Sequence, residues 1–110
     1  MPGYNQMFLD GCCDIIGADD DGQRQLWRPG VPFARKTVGS KRFFEAEMAG
    51  HTITKMIRIP VLDIPLNCCE VGIGGFVHQI VQIQELGDTF PHCIQLTLEQ
   101  TGIAWAAQQD

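Results

Sequence analysis

His92-Cys93-Ile94-Gln95-Leu96-Thr97-Leu98-Glu99 is the stretch whose reading decides the fold. Ile94, Leu96 and Leu98 alternate with Gln95, Thr97 and Glu99. Successive side chains of an extended chain point to opposite faces, so this order lines one face with apolar groups and the other with polar ones. Just upstream, residues 87–91 read as a loop. Residues 76–84 read as a second strand, with Val77, Val81 and Ile83 on one face. Gly74-Gly75 separates it from residues 69–73 and signals a hairpin turn. Residues 62–66 carry Pro65 and read as an edge or a connection. In residues 52–60, Ile53, Ile57 and Ile59 alternate with Thr52, Thr54, Met56 and Arg58, and Lys55 is the exception on the apolar face.

The first half is less regular. Residues 12–17, with Ile15 and Ile16, read as a short strand. Asp19, Asp20, Asp21 and Gly22 are turn-formers and mark residues 18–23 as a loop. Leu26 and Trp27 lead into Arg28-Pro29-Gly30, read as a turn, and residues 31–38 form a strand around Phe33. Ser40 fits the N-cap of a helix from Lys41 to Met48, which Gly50 would end. Phe44 and Met48 lie four apart and share a helix face.

About five or six short strands, one short helix and turn signals at roughly 8–12-residue spacing suggest a mostly β protein, a small β-barrel or sandwich. The expected organisation is one domain over residues 1–110, with a β core at about residues 12–100. The N-terminal segment 1–11 and the tail 101–110 are candidate docking arms. In the tail, Ile103-Ala104-Trp105-Ala106-Ala107 has two readings: a strand end packed on its own core, or an arm that docks on a neighbouring subunit.

A chain of 110 residues buries roughly 65% of its unfolded surface, enough for one core. Hydrophobic residues make up 45% and charged residues 19%, ordinary globular values that argue against whole-chain disorder. Thirteen acidic and eight basic side chains give a net charge of −5. A protein that grips nucleic acid needs cations to displace counterions from phosphate, and the overall charge here is wrong for that. Negative charge suits a surface past which DNA slides, and equally an ordinary acidic protein. The first ten residues show no basic stretch followed by an apolar run, and no segment approaches the roughly 20 apolar residues of a membrane span. A protein made and kept in a cytosol, with no membrane partner, is expected.

No reactive constellation stands out. Cys12, Cys13, Cys68, Cys69 and Cys93 are an odd number, which argues against a disulfide framework. Vicinal cysteines on a strand point apart, a poor arrangement for zinc unless the pairs and His92 converge in space. Reduced thiols, and no metal or cofactor, are expected. His78 alternates with the apolar face of its strand and should be exposed; His51 should lie in a turn. His92 and Cys93 are adjacent and cannot easily pair as base and nucleophile on a strand. Glu45 and Glu47 face apart on a helix. Gly72-x-Gly74-Gly75 lacks the Gly-Lys-Ser/Thr ending of a phosphate loop. Placing Gly22 at the invariant glycine of a calcium loop puts Gly17 and Arg28 at ligand positions, so that pattern fails. Arg35, Lys36, Lys41 and Arg42 form a basic cluster suited to an acidic patch on a partner. No catalytic residue is assigned.

The order of features resembles the head-closure, or head–tail connector (stopper), proteins of tailed bacteriophages. Asp21-Gly22 and Trp27 match an early acidic turn leading to a tryptophan. Phe33-Ala34-Arg35 matches an alanine–arginine strand, and Lys41-Arg42-Phe43-Phe44-Glu45-Ala46 a short aromatic, Glu/Ala helix. Residues 52–59 match a long Ile/Arg strand, Gly74-Gly75-Phe76-Val77-His78-Gln79-Ile80 a hairpin, and Ile94-Gln95-Leu96-Thr97-Leu98-Glu99 the last strand.

The resemblance implies a virion structural protein at the neck, made in the bacterial host cytoplasm. It implies a self-assembled ring of roughly six-fold or twelve-fold symmetry, with portal or adaptor above and a tail-terminator or tail tube protein below. Packaged DNA passes through the ring without sequence-specific binding. Loop candidates for the channel are residues 18–25, with Asp19, Asp20 and Asp21, and residues 62–69; the aspartates would repel phosphate, or else form a solvated hairpin tip. Trp105, Ile103, Arg35, Lys36, Lys41 and Arg42 are interface candidates. Strands 76–84 and 92–99 carry few charges, so open edges there would need covering by a neighbour. The alternatives are a tail-terminator or other tail-junction protein, a Cys/His metal-binding module or metal-dependent enzyme, and a stand-alone ligand-binding barrel.

Overall fold

In the structure, a computed structural model, residues 7–36, 55–87, 89 and 91–106 are described. The chain is mostly β. Six strands follow in order: β1 (Gly11–Ala18), β2 (Arg24–Lys36), β3 (Lys55–Pro60), β4 (Glu70–Ile73), β5 (Phe76–Leu86) and β6 (Cys93–Ala104). Every pairing is antiparallel. The ladder runs β1-β2-β3-β6-β5-β4 and returns to β1, closing a barrel. A 3-10 turn at Leu66–Cys68 lies between β3 and β4. The helix expected at Lys41–Met48 lies outside the described residues, as does the start of the 52–60 strand.

The deciding stretch lies at the centre of the barrel. Ile94, Leu96 and Leu98 face the core, opposite Ile59, Ile57 and Lys55 of β3. Cys13, Ile15, Val31, Phe33, Val71 and Ile73 complete the packing from the other strands. Burying a side chain such as Leu96 stabilises by roughly 1.5–3 kcal/mol. The opposite face of β6 is not open to water: Gln95 and Thr97 are buried as well. Gln95 Oε1 there accepts a hydrogen bond from Arg58 Nε at 2.9 Å.

Three sequence expectations are corrected. Arg28-Pro29-Gly30 is not a turn between elements; β2 runs through it. The register with β1 shifts between Cys13 and Ile15, so Pro29 and Gly30 (φ +63°) form an irregularity inside a long strand. A proline and a left-handed glycine suit a bulge as well as a turn. Val77, Val81 and Ile83 do not share a face. Val77 lies opposite Gly72, whereas Ile83 lies opposite Leu96, because the β5–β6 register shifts between Ile80 and Gln82. The extra residue at Val81 reverses the alternation and turns Ile83 to the face of Leu96, but β5 has no β4 neighbour beyond Gln79 and Ile83 is 37% exposed there. The same phase error misplaces His78. It lies opposite Val71 in the ladder and is completely buried rather than exposed.

The tail also differs. β6 continues through Ala104, so residues 101–104 belong to the last strand rather than following it. Between Gln100 and Ala104 the strand bulges, opposite only the step from His78 to Phe76.

The β2–β3 ladder is short, Ala34–Arg58 to Lys36–Met56. Extending it would set Pro32 opposite Pro60, two residues with no N–H to give. Barrel closure thus removes most of the strand edges expected to need a neighbour. Among the described residues, β2 before Ala34 lacks a partner on its β3 side, and β5 beyond Gln79 lacks one on its β4 side.

Candidate functional site

Antiparallel order sorts the connections onto two ends of the barrel. The β1–β2 turn (residues 19–23), the β3–β4 connection and the β5–β6 loop share one end. The end of β2, the start of β3, the Gly74-Gly75 turn and the end of β6 share the other.

The β1–β2 tip is built by Asp19. Its Oδ1 accepts hydrogen bonds from the Asp21 N–H at 2.9 Å and the Gln23 N–H at 2.8 Å. Its carbonyl accepts one from Gly22 N–H at 3.0 Å. This is an Asx-type turn, in which the side chain replaces a backbone acceptor. Asp20 and Asp21 are left exposed, with no side-chain partner among the described residues. The three aspartates therefore divide into one builder and two free charges.

Arg24 and Arg28, on the part of β2 nearest this tip, are both paired. Arg24 makes two hydrogen bonds to the Glu70 carboxylate, at 2.8 and 3.2 Å. Arg28 Nη2 reaches Asp63 Oδ1 at 3.0 Å. At the far end of the same strand, Arg35 and Lys36 make no ion pair among the described residues. The Arg35 guanidinium lies 5.9 Å from the centroid of the Phe33 ring. Lys55 is one rung beyond the Lys36–Met56 pair and is also unpaired. Lys41 and Arg42 lie outside the described residues.

Trp105 is seated on its own barrel. Its indole Nε1 donates to Asp14 Oδ2 at 2.9 Å, and its backbone N–H donates to the Gly75 carbonyl at 2.8 Å. The ring lies against Gly72, where a Cβ would stand 2.4 Å from Trp105 Cδ1. Of the two readings of the tail, packing on its own fold describes Trp105. Ile103, on the β6 bulge, is 42% exposed and free to meet a partner. Nothing in the sequence singled out Asp14 or Gly72 as this seat.

His78 Nδ1 lies 3.1 Å from the Phe76 carbonyl. With Nδ1–H donating there, the lone pair is on Nε2, and Nε2 has no hydrogen-bond partner. Burial pushes the His78 pKa below 6.5; the charge of Lys55 adds to this, and backbone hydrogen bonding at Phe76 and Val71 opposes it. His92 is exposed while Cys93 is fully buried, with its Sγ 3.3 Å from Thr89 Oγ1. A shallow cleft of about 400 Å³ beside them is lined by Val61, Glu85, Leu86, Gly87, His92 and Cys93.

All five cysteines are free thiols. Burial, then the neighbouring Asp14 and Cys12, pushes the Cys13 thiol up to about 12. Burial and then Cys68 raise Cys69 as well. Thiols held protonated are poor nucleophiles and poor metal ligands. Among the described residues, no three His, Cys, Asp or Glu side chains come together as a group that could hold a metal ion. No helix among them is long and apolar enough to cross a membrane. The sequence matches no protein-family model and no curated protein.

Proposed function

We propose that this chain is a virion structural protein, a ring-forming head–tail connector subunit of a tailed bacteriophage. It joins portal or adaptor to the tail and helps close the DNA channel. The observation that carries this reading is the order of motifs on a closed antiparallel barrel. The acidic turn, the Phe33-Ala34-Arg35 strand, the Gly74-Gly75 hairpin and the Ile94–Leu98 strand follow one another in the chain and all belong to one closed ladder. In this role the protein works by contact and exclusion, without covalent chemistry.

The test is location. Gold-labelled antibody against the chain, applied to purified particles, is expected at the capsid vertex that carries the tail. Particles assembled without the chain should leak packaged DNA and lack tails. Label spread over the capsid or along the tail, or normal tailed particles without the chain, overturns the reading.

A further inference from the structure

The unpaired charges of the described residues are segregated. Of the six described arginines and lysines, Arg24 and Arg28 are tied to carboxylates and Arg58 to Gln95. Arg35, Lys36 and Lys55 have no carboxylate, and all three lie within two rungs of each other at one end. Among the described residues, the carboxylates with neither an ion pair nor a hydrogen bond are Asp20, Asp21 and Glu85, and all three lie at the opposite end; Asp10, Asp14 and Asp19 accept N–H groups without an ion pair. One 13-residue strand, β2, leads from the acidic tip to the basic end. At about 3.3 Å per residue it separates them by about 40 Å. No pairing within one copy can bridge that distance.

A second observation sets the basic end apart. His78 faces the core at that end, opposite Gln100 and two residues before Ile80, whose ladder partner Leu98 also faces Lys55. It is fully buried, and its Nε2 is the one buried side-chain polar atom without a partner among the described residues. Two carboxylates lie nearby: Asp10, which accepts the backbone N–H of Arg35 at 2.7 Å, and Glu99, next to Leu98, the ladder partner of Lys55; among the described residues neither forms an ion pair with Arg35, Lys36 or Lys55.

We propose that copies of this chain dock head to tail, the Asp20–Asp21 tip of one against the Arg35, Lys36 and Lys55 end of the next. Opposite charge at the two ends steers the encounter and fixes its direction. Such a contact joins unlike surfaces, and unlike surfaces close into a ring when the rotation between copies permits. The tip is preorganised by Asp19, so docking costs little ordering of the turn. The inference rests on the ring reading only in supposing that copies of this chain meet.

Charge reversal tests it. Wild-type protein at low salt is expected to gain mass with concentration in light scattering. Asp20→Lys with Asp21→Lys should be monomeric, and so should Arg35→Glu with Lys36→Glu. Each variant is checked for β structure by circular dichroism. Arg35→Gln with Lys36→Gln, a milder change, should weaken association at least tenfold. An equimolar mixture of the two reversed variants offers two complementary contacts, the native one and its reverse, and should assemble as alternating copies although neither variant assembles alone. Combining all four substitutions in one chain should restore assembly. Wild-type protein that stays monomeric at every concentration overturns the docking. Reversed variants that assemble like wild type also overturn it, while leaving a ring formed through other surfaces intact. Loss of assembly on reversal from open chains of unlimited length upholds the docking and removes the ring.

Discussion

His78 shows how one misplaced residue changes a physical expectation. As an exposed strand residue it would titrate normally and matter little. Buried beside Lys55, it is held neutral, with a pKa below 6.5. The unfolded chain then binds a proton near pH 6.5 that the folded chain refuses. The contribution of this group to stability is complete above that pH and is lost as pH falls through and below it. Carboxylates titrate mainly below about pH 5, so the window between separates His78 from them. Thermal melts from pH 7.5 to 5 should show a falling midpoint. His78→Leu should flatten that fall, since leucine has no proton to take up. An equal slope in the variant would place the proton uptake elsewhere.

At the level of the element, the seat of Trp105 joins β1, β4 and the end of β6. Gly72 supplies the space and Asp14 the hydrogen-bond acceptor. Gly72→Ala puts a methyl group 2.4 Å from Trp105 Cδ1, so the indole must leave. Overpacking of this kind costs about 1–3 kcal/mol. Denaturant midpoints should fall accordingly, with red-shifted tryptophan emission. In a Trp105→Ala background the same change should cost almost nothing, and a full cost there would sink this account. The elements themselves were largely legible. Alternation gave β6 and the part of β3 that is described, and Gly74-Gly75 gave the β4–β5 hairpin. Phase across a bulge was not legible: nothing in Gln79-Ile80-Val81-Gln82 announces the extra residue. Pro29-Gly30 carries the same chemistry in a turn as in a bulge, so its reading depended on β1, a partner distant in sequence. The acidic tip and Arg35 and Lys36 were visible as charges. Their opposition across the barrel needed the topology.

For the whole molecule, the distribution of charge separates two kinds of salt dependence. The described protomer has two ion pairs, Arg24–Glu70 and Arg28–Asp63, with the four side chains 29–88% exposed. Exposed pairs of this kind contribute roughly 0–1 kcal/mol each. The core, by contrast, is a closed apolar ladder on which salt screening has little purchase. Raising salt should therefore move the melting midpoint of dilute, monomeric protein by no more than a few degrees. Association through free charges at opposite ends should respond far more. Screening shortens from about 10 Å at 0.1 M salt to about 3 Å at 1 M. Over that range the association constant should fall at least tenfold while the protomer remains folded. Ultracentrifugation and calorimetry on the same samples measure the two quantities side by side. If association persists unchanged at 1 M salt, the contact is apolar. Ile103 and Ile83, both exposed on the barrel wall, then become the surfaces to substitute next.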